Sequence, residues 1–237
     1  MKTLVLFDID GTLVLTGRAG VRALGRALED VAGQPGLLDR VPIAGRTDRA
    51  IILEALGAIG VEPADHLYAQ VRDRYCAYLP EEVRAESPHP KLVLPGVRAA
   101  LAELVPLEAA GAVAVGLLTG NFARGAEIKL GHFDLWRRFG FGAFGDDRVD
   151  RRDLVPLAIE AAARAGAGVF RPDHLVIVGD TPADVDCAHA HRAKAIAVAT
   201  GLYTFDQLRA TGAEVVVADL SEWDAAWSAV YPFRPTQ

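Results

Sequence analysis

The chain has 237 residues, of which 51% are hydrophobic and 24% charged, and its 25 basic and 31 acidic side chains give a net charge of −6. This composition is too apolar for a disordered protein and too acidic for a protein whose partner is nucleic acid, because phosphate backbones bind basic surfaces. We expect neither a membrane span nor a signal peptide, because no apolar run reaches the roughly 18 residues that cross a bilayer.

Five short segments that are apolar on both faces predict the strands of a buried parallel sheet. They cover residues 3–7, 112–118, 174–178, 195–199 and 214–217. Segments with apolar residues at a three-to-four spacing predict helices between and after them, at residues 96–107, 123–130, 154–165, 182–190 and 205–211. Strands that alternate with helices are typical of a doubly wound, Rossmann-like α/β fold with a parallel sheet.

Residues 16–92 interrupt this alternation and contain no convincing strand. Three helical patterns, joined by Pro- and Gly-rich segments, cover residues 21–31, 48–56 and 64–79. We therefore predict two units. An α/β core is formed by residues 1–15 and 93–237, and an all-helical insert is formed by residues 16–92.

Polar side chains follow three of the predicted strands at the point where each ends. Asp8 and Asp10 follow the first strand, Thr119 follows the second, and Asp180, with Asp184 nearby, follows the third. Open α/β sheets bind ligands at this edge. Turns favour Asp and Thr in any case, but so many acidic groups at one edge would repel one another unless a cation lay among them. Because Mg²⁺ prefers oxygen ligands, the pattern predicts a Mg²⁺ site.

Three motifs resemble those of the haloacid dehalogenase superfamily, in its phosphatase branch. Phe7-Asp8-Ile9-Asp10-Gly11-Thr12-Leu13 is similar to the first motif, residues 117–121 to the second, and residues 178–184 to the fourth. The helical insert resembles that family's cap domain. The resemblance implies a Mg²⁺-dependent phosphatase, similar to phosphoglycolate phosphatases, that acts on a small phosphomonoester.

The acidic residues take roles that follow from their chemistry and match what the resemblance implies. Asp8 would be the nucleophile that forms an aspartyl-phosphate, and Asp10 would be the general acid for the leaving alcohol and then the general base for water. Asp8, the backbone carbonyl of Asp10, and Asp180 would hold Mg²⁺. Asp184 would bind the metal or a metal-bound water, or would be stabilised by a helix N-terminus instead, and the sequence leaves both open.

The second motif would bind the phosphoryl group. The Thr119 hydroxyl would hydrogen-bond a phosphoryl oxygen, and the amides of Gly120 and Asn121 would add N–H donors at the start of a helix that Asn121 also caps. We interpret Thr12 as an ordinary cap or turn residue.

The third motif departs from the family pattern, in which a Lys followed by Pro commonly supplies the positive charge beside the nucleophile. Residues 145–154 contain no lysine. We favour Lys129 as that residue, assisted by Arg151, although eight helical residues beyond Asn121 correspond to about 12 Å along the axis. The alternatives are that Lys129 is a solvated helix residue and that Arg151 pairs with Asp147 or Asp150.

A loop of the insert, residues 44–48, resembles a Gly–x–Thr–Asp stretch of phosphoglycolate phosphatase-like proteins. Arg46 would pair with a substrate carboxylate. The simpler interpretation is that Thr47 or Asp48 caps the following helix, and for Asp48 we favour it slightly.

Other functions agree less well with the sequence. A dehalogenase would not need Asp10, whereas a phosphosugar mutase keeps both aspartates and differs in returning the phosphoryl group to the sugar. A receiver-like signalling module would be about half as long and would lack the insert. Two cysteines, Cys76 and Cys187, favour a reducing, cytoplasmic setting. We expect a monomer or a homodimer.

Overall fold

A parallel sheet of six strands forms the centre of the computed structural model, which describes residues 2–61 and 65–231. The strands are β1 (Thr3–Phe7), β4 (Val113–Leu118), β5 (Gly142–Ala143), β6 (Leu175–Gly179), β7 (Lys194–Val198) and β8 (Val215–Val217). Their order across the sheet is β5-β4-β1-β6-β7-β8. Because β1 lies between β4 and β6, the segments that follow these three strands meet at one edge.

The side chains of β1 show why the sheet is buried on both faces. Leu4 and Leu6 contribute to the apolar cluster on one face, and Val5 and Phe7 contribute to the cluster on the other. Helices cover both faces. On the Val5 side they include α4 (Val97–Ala109) and α9 (Trp223–Val230), and on the Leu4 side they include α6 (Leu154–Arg164) and α7 (Pro182–Ala190). The predicted doubly wound, Rossmann-like α/β fold is confirmed.

The segment between β1 and β4 is helical, with its own apolar cluster. It contains α1 (Ala19–Ala32), α2 (Asp48–Gly57) and α3 (Asp65–Arg84). Two short antiparallel strands, β2 (Val14–Thr16) and β3 (Lys91–Val93), pair where the segment leaves the sheet and returns to it. We call residues 17–90, between these two strands, the helical insert. The prediction that the region holds no strand was wrong at its two ends, because strands of three residues are too short to show a periodic pattern.

The predicted helices all occur, and their ends differ by a few residues. The largest difference is in α3, which continues through Pro80 to Arg84, whereas the prediction ended it at residue 79. Proline removes one hydrogen bond of the helix, but the last turn is held by Glu82, which accepts from Arg22 and Arg26 of α1 at 2.7 Å each.

Two further helices complete the elements that matter for the site and its surroundings. They are α5 (Ala123–His132), which follows β4, and α8 (Phe205–Arg209), which follows β7. Among the described residues, no helix combines the length and the apolar character that crossing a membrane requires.

Candidate active site

Three acidic side chains meet at the ends of β1 and β6. Asp8 directly follows β1, Asp180 directly follows β6, and Asp184 lies in the first turn of α7. One carboxylate oxygen from each residue lies within 4.8 Å of the other two, and all three residues are buried. The parallel pairing of β1 with β6 produces this arrangement, because it brings the two strand ends side by side.

The Asp180 carboxylate is enclosed by backbone and by one hydroxyl. Thr12 lies in a turn, as predicted, but its hydroxyl also donates to Asp180 Oδ1 at 3.1 Å, a contact with a site residue that the sequence did not indicate. A Cβ atom on Gly201 or Gly11 would lie 1.7 or 2.3 Å from Asp180 Oδ2, and Gly11 also has a φ of +83°. Burial, followed by the charges of Asp184 and Asp8, raises the pKa of Asp180 well above its ordinary value.

Arg151 supplies a positive charge to this group of carboxylates. Its Nη2 lies 2.9 Å from Asp8 Oδ2 and 2.5 Å from Asp184 Oδ1, and its side chain is only 7% exposed. Burial alone would lower the pKa of Arg151, but Asp184 and Asp8 outweigh it and raise the pKa. The alternative that Arg151 pairs with Asp147 or Asp150 was wrong, because its partners are Asp8 and Asp184, and Asp150 pairs with Arg152 at 2.6 Å.

Asp184 is also part of the start of α7. Its Oδ2 accepts from the backbone N–H of Thr181 at 3.0 Å and from the Thr181 hydroxyl at 2.7 Å, and Thr181 is the N-cap residue of α7, directly before Pro182. Burial raises the pKa of Asp184 to about 6, although the charge of Arg151 opposes the rise. With one oxygen on Thr181 and the other on Arg151, Asp184 orients the arginine that faces Asp8.

The chemistry of these donors fits a small divalent cation. Three buried carboxylates face one guanidinium, which leaves two formal negative charges in excess among these side chains. The available ligand atoms are oxygens, which hard cations such as Mg²⁺ prefer. Burial, and then the charges of Asp184 and Asp8, raise the pKa of Asp180, and a bound cation would oppose this rise.

Asp10 lies in a different environment from Asp8. Its side chain is 42% exposed, and its Oδ2 accepts from Lys129 Nζ at 2.5 Å and from Asn121 Nδ2 at 2.9 Å. Asn121 also donates to the Thr119 hydroxyl at 2.8 Å and accepts from Lys129 Nζ at 2.5 Å. The four side chains of Asp10, Thr119, Asn121 and Lys129 therefore form one connected network.

The positions of Lys129 and Asn121 contradict two interpretations made from the sequence. Lys129 is 4% exposed, so the alternative of a solvated helix residue was wrong. The 12 Å separation along the axis is bridged because side chains on a helix point toward its N-terminus, and the lysine reaches back to a residue eight positions earlier. Asn121 does not cap α5; Phe122 occupies the N-cap position, and the Asn121 side chain turns toward Asp10 instead.

The insert loop contacts the site through its backbone. The amide of Asp48 donates to the carbonyl oxygen of Gly120 at 2.7 Å, and a Cβ atom on Gly120 would lie 2.1 Å from the carbonyl oxygen of Arg46. The Arg46 guanidinium pairs instead with Glu54 at 2.5 Å and with the carbonyl of Pro42. The prediction that Arg46 offers its charge to a substrate is therefore not supported by the contacts of its side chain.

Thr47 and Asp48 have separate structural roles. Thr47 is the N-cap of α2, as predicted, and accepts from the amide of Ala50 at 3.1 Å. Asp48 does not cap its own helix, so the slightly favoured interpretation of that residue was wrong. Its Oδ2 accepts from the backbone N–H of Phe122 at 2.9 Å, at the start of α5. Sequence spacing alone carries no signal for this contact, because it joins the insert to the core.

Comparisons with known proteins show the family to which the chain belongs. The family described as haloacid dehalogenase-like hydrolase matches residues 5–189. A protein of Dickeya dadantii named "Probable phosphatase IndB" is 35% identical over 226 residues, which cover 94% of this chain and 92% of that protein. A phosphoglycolate phosphatase of Cereibacter sphaeroides is 29% identical over 188 residues, covering 78% and 80%. The crystal structure of a β-phosphoglucomutase from Clostridium difficile superposes with a TM-score of 0.70 at 15% identity, covers 98% of both chains, and shows likeness of fold alone.

Proposed function

Because the chain belongs to the haloacid dehalogenase-like hydrolase family, we propose that it is a Mg²⁺-dependent phosphatase that hydrolyses a small phosphomonoester through an aspartyl-phosphate. The observation that carries the proposal is a group of buried side chains, formed by Asp8, Asp180, Asp184 and Arg151. A second carboxylate, which is accessible, lies two positions after Asp8 in the chain, at Asp10. Two relatives that are named as phosphatases support the same class of reaction.

In the first step, an Asp8 carboxylate oxygen attacks phosphorus and the bond from phosphorus to the ester oxygen breaks. The departing alkoxide takes a proton from Asp10, so the products of this step are the free alcohol and phosphorylated Asp8. In the second step, Asp10 removes a proton from a water molecule whose oxygen attacks phosphorus. Inorganic phosphate leaves, and the Asp8 carboxylate is restored. The exposed position of Asp10 suits both transfers, because it needs access to an alcohol and then to water.

Asp8, the backbone carbonyl of Asp10, and Asp180 would hold the Mg²⁺ ion, which when bound would allow two anions, the Asp8 carboxylate and the phosphate, to approach each other. Asp184 would act indirectly. Both of its oxygens already have partners in Thr181 and Arg151, which favours a positioning role over direct coordination.

The sequence favoured Lys129 as the positive charge beside the nucleophile, with Arg151 assisting, whereas the contacts favour the opposite assignment. Arg151 faces the nucleophile and would take the role of the third-motif cation. Its Nε is buried and has no hydrogen-bond partner among the described residues, so a phosphoryl oxygen or a water is an available acceptor. Lys129 faces Asp10 and would hold that carboxylate in place for proton transfer.

The phosphoryl group would bind beside residues 119–121, with Thr119 donating its hydroxyl. The amides of Phe122 and Ala123 already donate to Asp48 and Asp146, and the amide of Asn121 makes only a long hydrogen bond, of 3.4 Å, to the Thr119 hydroxyl. The binding amides would therefore come from Gly120 and from Asn121, which would exchange that long bond for one to the phosphoryl group. The helical insert would act as a cap over this loop, as its backbone contacts with Gly120 suggest. Arg46 would have to leave Glu54 to meet a substrate, so this proposal gives it no role.

A panel of phosphomonoesters, assayed for release of inorganic phosphate with Mg²⁺ and with EDTA, tests the proposal. We expect catalytic turnover of at least one small ester, including phosphoglycolate, sugar phosphates and p-nitrophenyl phosphate, only in the presence of the metal. Asp8→Asn serves as the inactive control, and its circular dichroism and melting temperature should show an intact fold. Turnover that persists in Asp8→Asn would refute the mechanism, and a strict requirement for a sugar bisphosphate would identify a mutase.

A further inference from the structure

We propose that Asp48 of the helical insert is a positioning residue that holds the phosphate-binding loop, residues 119–121, when the insert is seated on the core. This inference rests on the proposed function for the meaning of the loop, and it adds a residue that lies outside the first, second and fourth motifs and outside the metal site. Its basis is a set of contacts that join the insert to the middle of the loop, at Gly120, and to the residue that directly follows it, Phe122.

Asp48 makes two hydrogen bonds across the boundary between insert and core. Its backbone N–H donates to the carbonyl of Gly120 at 2.7 Å, within the loop, and its Oδ2 accepts from the N–H of Phe122 at 2.9 Å, directly after the loop. Gly120 and Phe122 flank Asn121, which binds Asp10 and Thr119. One residue of the insert therefore restrains the loop on both sides of a member of the Asp10 network.

Phe122 strengthens this link because its ring belongs to the apolar cluster of the insert. The ring is fully buried, and its centroid lies 5.6 Å from that of Tyr75 and 6.0 Å from that of Tyr68, both on α3. The chain that leaves the loop is thus bound to the insert twice, by its amide at Asp48 and by its side chain between two tyrosines. Moving the insert away would expose an aromatic ring and leave the Phe122 amide without its acceptor.

The loop also has no spare room on the insert side. A Cβ atom at Gly120 would lie 2.1 Å from the carbonyl oxygen of Arg46, and a Cβ atom at Gly145 would lie 2.1 Å from the carbonyl oxygen of Gly120. The backbone of Gly120 is therefore stacked between the insert loop and the core loop that follows β5. A shift of the insert loop at Arg46 and Asp48 would change the position of the Gly120 carbonyl and of the amides beside it.

Asp146 provides a matched control for Asp48. It lies in the core loop after β5 and accepts from the N–H of Ala123 at 2.8 Å, the next amide of the same helix. Both carboxylates cap α5, but only the Asp48 side chain belongs to the insert. If capping were the whole function of Asp48, removal of either carboxylate would have the same consequences.

The experiment compares the full-length Asp48→Ala, Asp48→Asn and Asp146→Ala variants with the wild type in the presence of Mg²⁺. Affinity for inorganic phosphate is measured by titration calorimetry, and amide hydrogen exchange is followed at Asn121, Phe122 and Ala123. We expect Asp48→Ala to weaken phosphate binding by about fivefold or more, the effect of losing one hydrogen bond that holds the loop in place. It should also speed exchange at Asn121 and Phe122. Asp146→Ala should speed exchange at Ala123 and leave phosphate affinity within about twofold, whereas Asp48→Asn, which keeps an acceptor oxygen, should behave like the wild type.

Equal losses of phosphate affinity in Asp48→Ala and Asp146→Ala would reduce Asp48 to an ordinary helix cap and overturn the proposal. Unchanged exchange at Asn121 in Asp48→Ala would also overturn it, because the loop would then be held without Asp48. The exchange data do not depend on turnover. A wild-type protein that releases no phosphate from any ester would therefore refute the proposed function while the exchange results still decide the role of Asp48.

Discussion

Asp8 and Asp10 are separated by a single residue, yet the structure places them in two different environments. The Asp8 side chain is 7% exposed and faces Arg151, Asp184 and Asp180 within the core. The Asp10 side chain is 42% exposed and faces Lys129 and Asn121, close to the helical insert. Gly11 makes the difference possible, because its positive φ turns the chain sharply after Asp10.

This contrast corresponds to two chemical tasks. A nucleophile must stay ionised and fixed, and an arginine, which is always charged, is a suitable partner for it. A general acid and base must exchange protons with the alcohol and with water, so its carboxylate must be accessible to both. In Asp10, Lys129 and Asn121 donate to the same oxygen, Oδ2, which leaves Oδ1 free to react. We call Asp8, Asp180, Asp184 and Arg151 the Asp8 half of the site, and Asp10, Thr119, Asn121 and Lys129 the Asp10 half. Substitutions in the two halves should therefore have different effects.

The largest difference is expected from Asp10→Asn. With alkyl phosphates, which have poor leaving groups, we expect kcat to fall about 10²–10⁴-fold, the usual contribution of a general acid and base. With p-nitrophenyl phosphate the first step should survive better, because nitrophenolate leaves without a proton. The measurement is kcat/KM across a series of esters graded by the pKa of the leaving alcohol, because kcat/KM reports the first step, whereas hydrolysis of the common phosphoenzyme sets kcat in this variant. Equal losses for every ester would contradict the assignment of Asp10 as the acid.

Arg151→Ala and Lys129→Ala test the two halves against each other. Arg151→Ala should lower kcat/KM about a hundredfold and should also destabilise the metal-free fold by about 3 kcal/mol, because it leaves buried carboxylates unpaired. Lys129→Ala should cost roughly tenfold in kcat, the effect of losing one hydrogen bond to a charged group. Steady-state kinetics and urea unfolding of both variants check the order. A larger kinetic loss in Lys129→Ala would restore lysine as the third-motif residue.

We expect the stabilising effect of Mg²⁺ on the protein to depend on the side chains of the Asp8 half and not on those of the Asp10 half. For wild-type protein, the ion at 100 times its Kd should raise the free energy of unfolding by about 2.7 kcal/mol. Asp180→Asn should lose most of this gain. Asp10→Asn should keep it, because the proposed ligand at that position is the backbone carbonyl. Asp186→Asn, which alters an exposed carboxylate of the same helix as Asp184, is the control. Thermal melts with Mg²⁺ and with EDTA measure the gain, and its persistence in Asp180→Asn would argue against the proposed metal site.

Asp48 gives the smallest expected effect, on pH dependence. Burial raises its pKa to about 6 from an ordinary 3.8; Lys129 and the Phe122 amide oppose the rise, and Asp10 and Asp146 add to it. Tyr75 also packs near this carboxylate. Between about pH 4 and 6 the folded state keeps a proton that the unfolded chain has released, so the free energy of unfolding falls as pH rises through this window.

Asp48→Asn has no such proton to keep. The stability of the wild type relative to Asp48→Asn should therefore decline from pH 4 to pH 6 and stay level above it, while contributions from Asp180 and Asp184 cancel because both proteins contain them. Chemical unfolding at four pH values, in EDTA, measures the difference. If the difference in the free energy of unfolding between the two proteins did not change with pH, the pKa of Asp48 would not be raised in the folded state.

Much of the Asp8 half follows from the sequence. The strand ends at Asp8 and Asp180 could be predicted because apolar segments of five residues stop at polar turns, and parallel topology brings such ends to one edge. The partner of Arg151 could not be predicted. Asp147, Asp150 and the distant Asp8 were all available, and only the packing of the turn before α6 selects between them.

The Asp10 half was less accessible from the sequence. Asn121 is of a residue type that commonly caps helices, and Asp48 lies at the start of a helix. Yet both side chains make hydrogen bonds to distant parts of the chain. Such contacts have no local pattern, because they depend on how the helical insert lies against the core. β5, with two residues, was also missed, since a pair of residues shows no periodicity.

The most direct test of the account is a rapid acid quench of Asp10→Asn reacting with p-nitrophenyl phosphate in Mg²⁺. The account predicts a burst of one nitrophenolate per protein molecule and a phosphoryl group on Asp8, located by peptide mass mapping, because phosphoenzyme should form faster than this variant hydrolyses it. Phosphate on any other residue would contradict the central role of Asp8. So would product formation with neither a burst nor a labelled peptide.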